Sequence, residues 1–221
     1  MPVTDHTSNV LAALLREFPL RARLERLDPD VRRTYGAIVS EWYGTAAPPQ
    51  PPKFEPSHLA ALEQADAVVV VDAGIGCYPF SAAPTGIRVT YLDRSCHAMC
   101  AIDALAIPCV IGQSATIDAT CNACRRRLTI AVGPRNGSLS IDSNDIAVTH
   151  SGVSVMYAPK AAEHGVCNRQ LCPLIVFVCD ECADPGSADL LSVAAATVVA
   201  AQFFSFQRKY LPPKASAPEH A

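Results

Sequence analysis

Thiols and carboxyls at close spacing are the groups in this chain best suited to chemistry. The first set lies in Cys96-His97-Ala98-Met99-Cys100-Ala101-Ile102-Asp103. Residues 95 to 107 read as a helix, on which Cys100 and Asp103 share a face, with Cys96 one turn earlier on the same side. A thiolate beside a carboxylate is an awkward pair, because like charges raise each other's pKa. The pair makes sense where the carboxyl moves protons to and from a soft nucleophile. A buried cysteine next to a helix-capping aspartate would leave the same pattern. The second set is Cys167-Asn168-Arg169-Gln170-Leu171-Cys172-Pro173, just before an apolar, strand-like run. Pro173 restricts Cys172 to extended conformations, which would hold its thiol rigidly. A buried structural cysteine is the alternative. The third set is a pair of C-x-x-C knuckles, Cys121 with Cys124 and Cys179 with Cys182. Two knuckles can supply a tetrahedral zinc site. They are much farther apart than the usual ~15–20 residues, so they meet only if the fold brings them together.

Composition narrows what these groups serve. The 221 residues are half hydrophobic and only 18% charged, which suits one large domain or two small ones with a real core. A net charge of −3 does not suggest nucleic acid as a partner. Residues 1 to 16 carry Asp5, His6 and Ser8 where an export signal would have a basic stretch and an apolar run, so the chain is expected in the cytoplasm. Thiols are kept reduced there, so ten cysteines argue for metal or thiolate chemistry rather than a disulfide framework. Cys77 and Cys109 lie in apolar runs and read as small buried hydrophobes. The stretch from Leu190 to Phe206 is interrupted by Ser192, Thr197, Gln202 and Ser205 and reads as a buried alanine-rich helix, not a membrane span.

The elements that must position these groups follow from periodicity and punctuation. Leu11, Leu14, Leu15 and Phe18 recur at helical spacing, and Asp28 or Asp30 can cap a second helix through Trp42 and Tyr43. Residues 46 to 52 form a proline-rich linker, and Ser57 can cap a third helix. Ala67 to Val71 reads as a strand, Gly74 and Gly76 as a turn, and Arg88 to Tyr91 as the returning strand. Three helices and a hairpin outline a winged helix, but the helix from Pro56 to Ala65 has no Lys or Arg and would read DNA poorly. Pro108 is expected to interrupt or end the helix bearing Cys100. Strands are expected at 115–117, 127–132, 138–141, 147–150, 154–157 and 174–178, with a hairpin turn over 133–137. The expected fold is α+β: a helical, winged-helix-like N-terminal domain over residues 1–84, a mixed domain with an antiparallel sheet and flanking helices over 85–211, and a flexible tail over 212–221.

The segment from His97 to Pro108, ending in Ile111-Gly112, resembles the active-site helix of the organomercurial (alkylmercury) lyases. In that family a cysteine, two residues and an aspartate lead into an apolar turn, a proline and a glycine. Cys121 stands 21 residues after Cys100, the family's spacing to another cysteine, and Cys172 stands five before Phe177, as the family's second catalytic cysteine does. Tyr78 to Thr85 resembles the segment joining the family's two parts, and the likeness covers roughly residues 60 to 210. It implies that Cys100 and Cys172 bind mercury, that Asp103 shuttles the proton, and that Cys121 is structural. His97 departs from the family's aromatic residue and Leu171 from a cysteine found in some members. A small insertion near Cys172 makes Cys167 a rival for its role.

The resemblance thus implies a carbon–mercury lyase that releases a hydrocarbon and retains mercury(II) between Cys100 and Cys172. No organic cofactor is expected, because the soft metal belongs to the substrate. A structural zinc is a candidate at Cys121, Cys124, Cys179 and Cys182. Organomercurials and cellular thiols are the expected partners, with a mercuric reductase to take the product, and neither nucleic acid nor membrane is expected. Met99, Ile102, Leu105, Ile107 and Phe177 would line an apolar site or simply pack the core. Competing readings are a non-catalytic, thiol-rich protein binding zinc, copper or mercury, and a winged-helix regulator.

Overall fold

The computed structural model describes residues 5–134, 146–149, 152–158, 166–187 and 189–211. The expected strand at 138–141, His150, residues 135–137 of the expected turn and the tail 212–221 lie outside the described residues.

Helices α1 (Asp5–Glu17), α2 (Leu20–Glu25) and α3 (Pro29–Thr45) open the chain. Asp28 caps α3: its side chain accepts the Asp30 N–H, and Pro29 occupies the first turn, where its missing N–H costs nothing. The helix ends where Ala46 turns left-handed. Helix α4 (Pro56–Gln64) is entered through Glu55, not Ser57, and Pro56 again takes the first turn.

The strands that follow are β1 (Val68–Val71), β2 (Gly74–Cys77), β3 (Phe80–Ser81), β4 (Arg88–Tyr91) and β5 (Arg94–Ala98). The strand returning to β1 is β2, not the 88–91 segment, because Asp72 and Ala73 already make the turn. Gly74 and Gly76 therefore lie in a strand. Glycine at 74 is required: its φ is +130°, and a Cβ there would come within 2.8 Å of the Pro49 carbonyl. The 88–91 segment instead pairs with β5 and with β6 (Ala115–Thr120). β7 (Arg127–Pro134) and β8 (Ile146–Thr149) complete an eight-stranded antiparallel sheet in the order β1-β2-β3-β5-β4-β6-β7-β8. A second, three-stranded sheet has β9 (Val153–Tyr157) between β10 (Ile175–Cys179) and β11 (Leu190–Ser192). The architecture is mixed α+β, as expected; no winged-helix pairing of β1 with β4 forms.

Helix α5 (Ala101–Ile111) is the centre of the fold. Every residue from Ala101 to Val110 is buried, so it has no solvent face and no amphipathic stripe. It packs between the strands and α7 (Val193–Phe203), which supplies the buried alanine-rich surface expected at the C-terminus. Only the middle of the 190–206 run is this helix, since Leu190–Ser192 forms β11 and Ser192 caps α7. Pro108 does not end α5; the helix runs through it to Ile111 and closes on left-handed Gly112. Among the described residues, no helix is long and apolar enough to cross a membrane.

Candidate active site

Strand β5 and helix α5 meet at Cys100. The expectation of one helix from 95 to 107 fails here, because residues 94–98 pair with β3 and β4 and the helix starts only at Ala101. Cys96 therefore lies on a strand opposite Val89, with its thiol directed to the Val89 carbonyl at 3.8 Å. Cys100 occupies the N-cap of α5, and its Sγ accepts the Asp103 N–H at 3.4 Å. A sulfur in that position faces the positive end of eleven aligned residues, which favours negative charge on it.

The second thiol comes from a segment 69 residues after Asp103. Helix α6 (Cys167–Gln170) and a 3-10 turn, Cys172–Leu174, lead into β10. Cys172 is thus on a tight turn rather than an extended segment; Pro173 fits because it sits in the turn's first positions. The Cys172 thiol donates to Asp103 Oδ2 at 3.8 Å. Cys100 Sγ, Cys172 Sγ and an Asp103 carboxylate oxygen all lie within 4.8 Å of one another, and all three residues are buried. The structure therefore brings Cys100, Asp103 and Cys172 together. Cys167 lies beside them, its Sγ 3.6 Å from that of Cys172.

Burial sets the proton affinities. It pushes the Asp103 carboxyl up to about 7, against hydrogen bonds from the two cysteines that pull the other way. Burial likewise pushes the Cys100 thiol up to about 12. The Cys172 thiol is raised well above its ordinary value, first by hydrogen bonding to Cys100 and Cys167 and then by burial. At neutral pH the site therefore holds two thiols and a carboxyl that keeps its proton far more readily than an exposed aspartate.

Residues outside the sequence motifs hold the second thiol in place. Asp66, just after α4, is buried with left-handed backbone. Its Oδ2 accepts the Cys167 N–H at 2.9 Å and Arg23 Nη1 at 3.0 Å, and its Oδ1 accepts the Tyr78 hydroxyl at 3.1 Å. Tyr78 in turn accepts the Asn168 N–H at 2.9 Å. Sequence reading missed Asp66, and it named Tyr78 only as part of a joining segment, with no role at the site. The available signal was a lone carboxylate between the end of a helix and an apolar strand. A cavity of about 130 Å³ lies alongside, lined by Val69, Val71, Ala82, Ala83, Met99 and Asn168 among others. Ile102, Leu105, Ile107 and Phe177 are fully buried, whereas Met99 is only half-buried and faces this cavity.

The two C-x-x-C knuckles also converge. The sulfurs of Cys121, Cys124, Cys179 and Cys182 all lie within 4.8 Å of one another. Cys77 and Cys109 are fully buried.

Two thiols and a carboxyl closing on one point inside a buried α+β core are a donor set suited to a soft metal with a proton-holding group beside it. Residues 80–203, more than half of the chain, match the family model "MerB: Alkylmercury lyase". The chain belongs to the alkylmercury lyase family and is an enzyme of carbon–mercury bond cleavage in mercury detoxification. Its fold is also that of a solved structure described as the mercury-bound form of MerB2, with 16% sequence identity and a TM-score of 0.54, covering 92% of this chain and 100% of the other. No curated protein matches by sequence.

Proposed function

We propose that Cys100, Cys172 and Asp103 carry out protonolysis of an organomercurial R–Hg–SR′, giving RH and mercury(II). The carrying observation is that both sulfurs and the Asp103 carboxylate lie within 4.8 Å of one another in the buried core.

The substrate arrives with mercury bonded to carbon and to an outgoing thiol. One active-site cysteine replaces that thiol, and its proton leaves with the thiolate as R′SH. The second cysteine then bonds to mercury and gives its proton to ionised Asp103. Coordination to the metal makes this possible for buried thiols that otherwise resist ionisation, because a soft cation displaces the proton outright. A second thiolate on mercury returns electron density to carbon, which gains carbanion character. Asp103, now protonated, delivers its proton to that carbon as the Hg–C bond breaks. The hydrocarbon departs, mercury(II) remains bonded to Cys100 and Cys172, and Asp103 is again ionised. A carboxyl held near 7 suits both halves of this cycle, since it can take and give a proton at neutral pH.

Release of mercury(II) needs competing thiols. Cellular thiols and a mercuric reductase that accepts the ion from them are the partners this chemistry implies. A reducing cytoplasm is the compartment that keeps both cysteines free. The organic group would extend toward the cavity whose lining includes Met99, next to Cys100 in the chain, and Asn168, next to Cys167.

Headspace measurement of benzene released from phenylmercury tests the assignment. Cys100→Ala, Cys172→Ala and Asp103→Ala should each lower the rate by about 10³-fold or more, because each removes a group that touches the reacting atoms. Retention of full activity in Cys172→Ala together with its loss in Cys167→Ala would transfer the second role to Cys167. Tight mercury(II) binding by the wild-type protein with no hydrocarbon product would leave only a thiol-rich metal binder.

A further inference from the structure

We propose that Cys121, Cys124, Cys179 and Cys182 bind one zinc ion tetrahedrally, forming a structural metal site that staples the ends of the two sheets.

The four cysteines arrive from different sheets. Cys121 directly follows β6 of the large sheet, and Cys124 lies three residues on, before β7. Cys179 is the last residue of β10 in the small sheet, and Cys182 follows in the next turn. All four sulfurs lie within 4.8 Å of one another, and the Cys124 and Cys179 sulfurs are 3.7 Å apart. Zinc–sulfur bonds of ~2.3 Å in a regular tetrahedron place the sulfurs about 3.8 Å apart, so this edge already has the length that zinc requires. None of the four is in a disulfide.

The backbone around the cluster is folded as a pair of ligand loops. Arg125 N–H closes the first loop on the Cys121 carbonyl at 2.9 Å, helped by left-handed Arg125. Cys182 and Ala183 N–H groups close the second on the Cys179 carbonyl, each at 2.9 Å. The Cys179 N–H points at Cys121 Sγ from 3.4 Å, and the Asn122 N–H donates to the Phe177 carbonyl at 2.9 Å. Arg126 and Glu181, one from each loop, form a two-pronged ion pair at 2.7 and 2.6 Å over the cluster. An N–H aimed at sulfur supports a thiolate, and four sulfurs at this spacing can all ionise only with a cation between them. All-sulfur, four-coordinate and closed is the donor set of structural zinc. Mercury chemistry does not use these residues: they belong to a site separate from Cys100, Asp103 and Cys172.

The staple would fix the end of β10 against β6. Cys172 lies just before β10, so the metal would also set how that strand presents its thiol to α5.

Elemental analysis of the full-length protein, purified from zinc-supplemented medium without chelators, tests this. We expect about one zinc per chain, and cobalt(II) substitution giving the intense visible absorption of a tetrahedral tetrathiolate. The Cys100→Ser/Cys172→Ser protein should keep its zinc. Cys124→Ser, altering the exposed ligand, and Cys124→Ser/Cys182→Ser should lose zinc and show a lower thermal midpoint. Wild-type protein without zinc, iron in its place, or full zinc retention in the double knuckle variant would overturn the proposal. Because metal content is read without substrate, failure here is distinguishable from failure of the lyase assignment.

Discussion

At the scale of single residues, Asp103 couples pH to both stability and rate. Its folded pKa is raised from 3.8 to about 7, so between these values the folded chain holds a proton that the unfolded chain has lost. Stability therefore falls as pH rises through that window and levels off above it. Asp103→Asn removes the ionisation, so the variant's thermal midpoint relative to wild type should rise between about pH 4 and pH 7 and then stay constant. A midpoint difference that does not change with pH would contradict this. Activity has the opposite slope: ionised Asp103 must accept the thiol proton, so kcat/KM for phenylmercury at a fixed thiolate concentration should fall below about pH 7. Gly76 offers a test of the cavity. A Cβ there would meet Met99 Cε at 3.1 Å and the Ala82 nitrogen at 3.3 Å, narrowing the space beside Met99. Gly76→Ala should reduce kcat/KM for phenylmercury on the order of 10-fold, and less for methylmercury, the ratio coming from paired steady-state assays.

At the scale of elements, the site depends on α5 and on the turn before β10. Helix α5 is apolar on every side, and Leu105 is fully buried near its centre. Leu105→Ala should cost ~2–5 kcal/mol through lost burial and a residual cavity, measured by urea unfolding. The turn carrying Cys172 hangs from Asp66 through the Cys167 N–H, and Asp66 also holds Arg23 and Tyr78. Asp66→Asn keeps a side chain that tolerates left-handed backbone but removes the charge that three donors share. Asp66 touches no reacting atom, so it is a positioning residue. The variant should bind mercury(II) ~10–100-fold more weakly, as typically follows from disturbing the groups behind metal ligands. Competition with a thiol chelator reads that affinity directly; an unchanged value would reduce Asp66 to a purely structural role.

At the scale of the molecule, the first and last elements close on each other. Gln207, fully buried after α7, accepts the Tyr43 hydroxyl at 2.9 Å and donates to the Tyr35 hydroxyl at 2.8 Å and the Tyr78 carbonyl at 2.6 Å. One side chain thereby ties α3, the segment after β2 and the C-terminal turn together. Gln207→Leu leaves the Tyr43 and Tyr35 hydroxyls and the Tyr78 carbonyl buried without that partner, which should cost ~3–9 kcal/mol for three such groups. Chemical denaturation followed by Trp42 fluorescence would show it, since Trp42 is buried and stacks on Phe80 at 4.9 Å.

Local chemistry was legible from the chain alone. Asp28 or Asp30 marked the start of α3, the valine run marked β1, thiol-and-carboxyl spacing offered Cys100 and Asp103 as a pair, and the family resemblance added Cys172. These signals act within a few residues, through capping, pleat and side-chain type. Tertiary structure decided the rest. Residues 94–98 became a strand because β3 and β4 offered partners on both sides, which no local pattern around Cys96 records. α5 ran through Pro108 because packing on all sides outweighed the lost N–H hydrogen bond. The meeting of Cys172 with Asp103, 69 residues away, and of two knuckles 58 residues apart, depends on how two sheets stack, and long-range contact leaves no periodic trace in sequence.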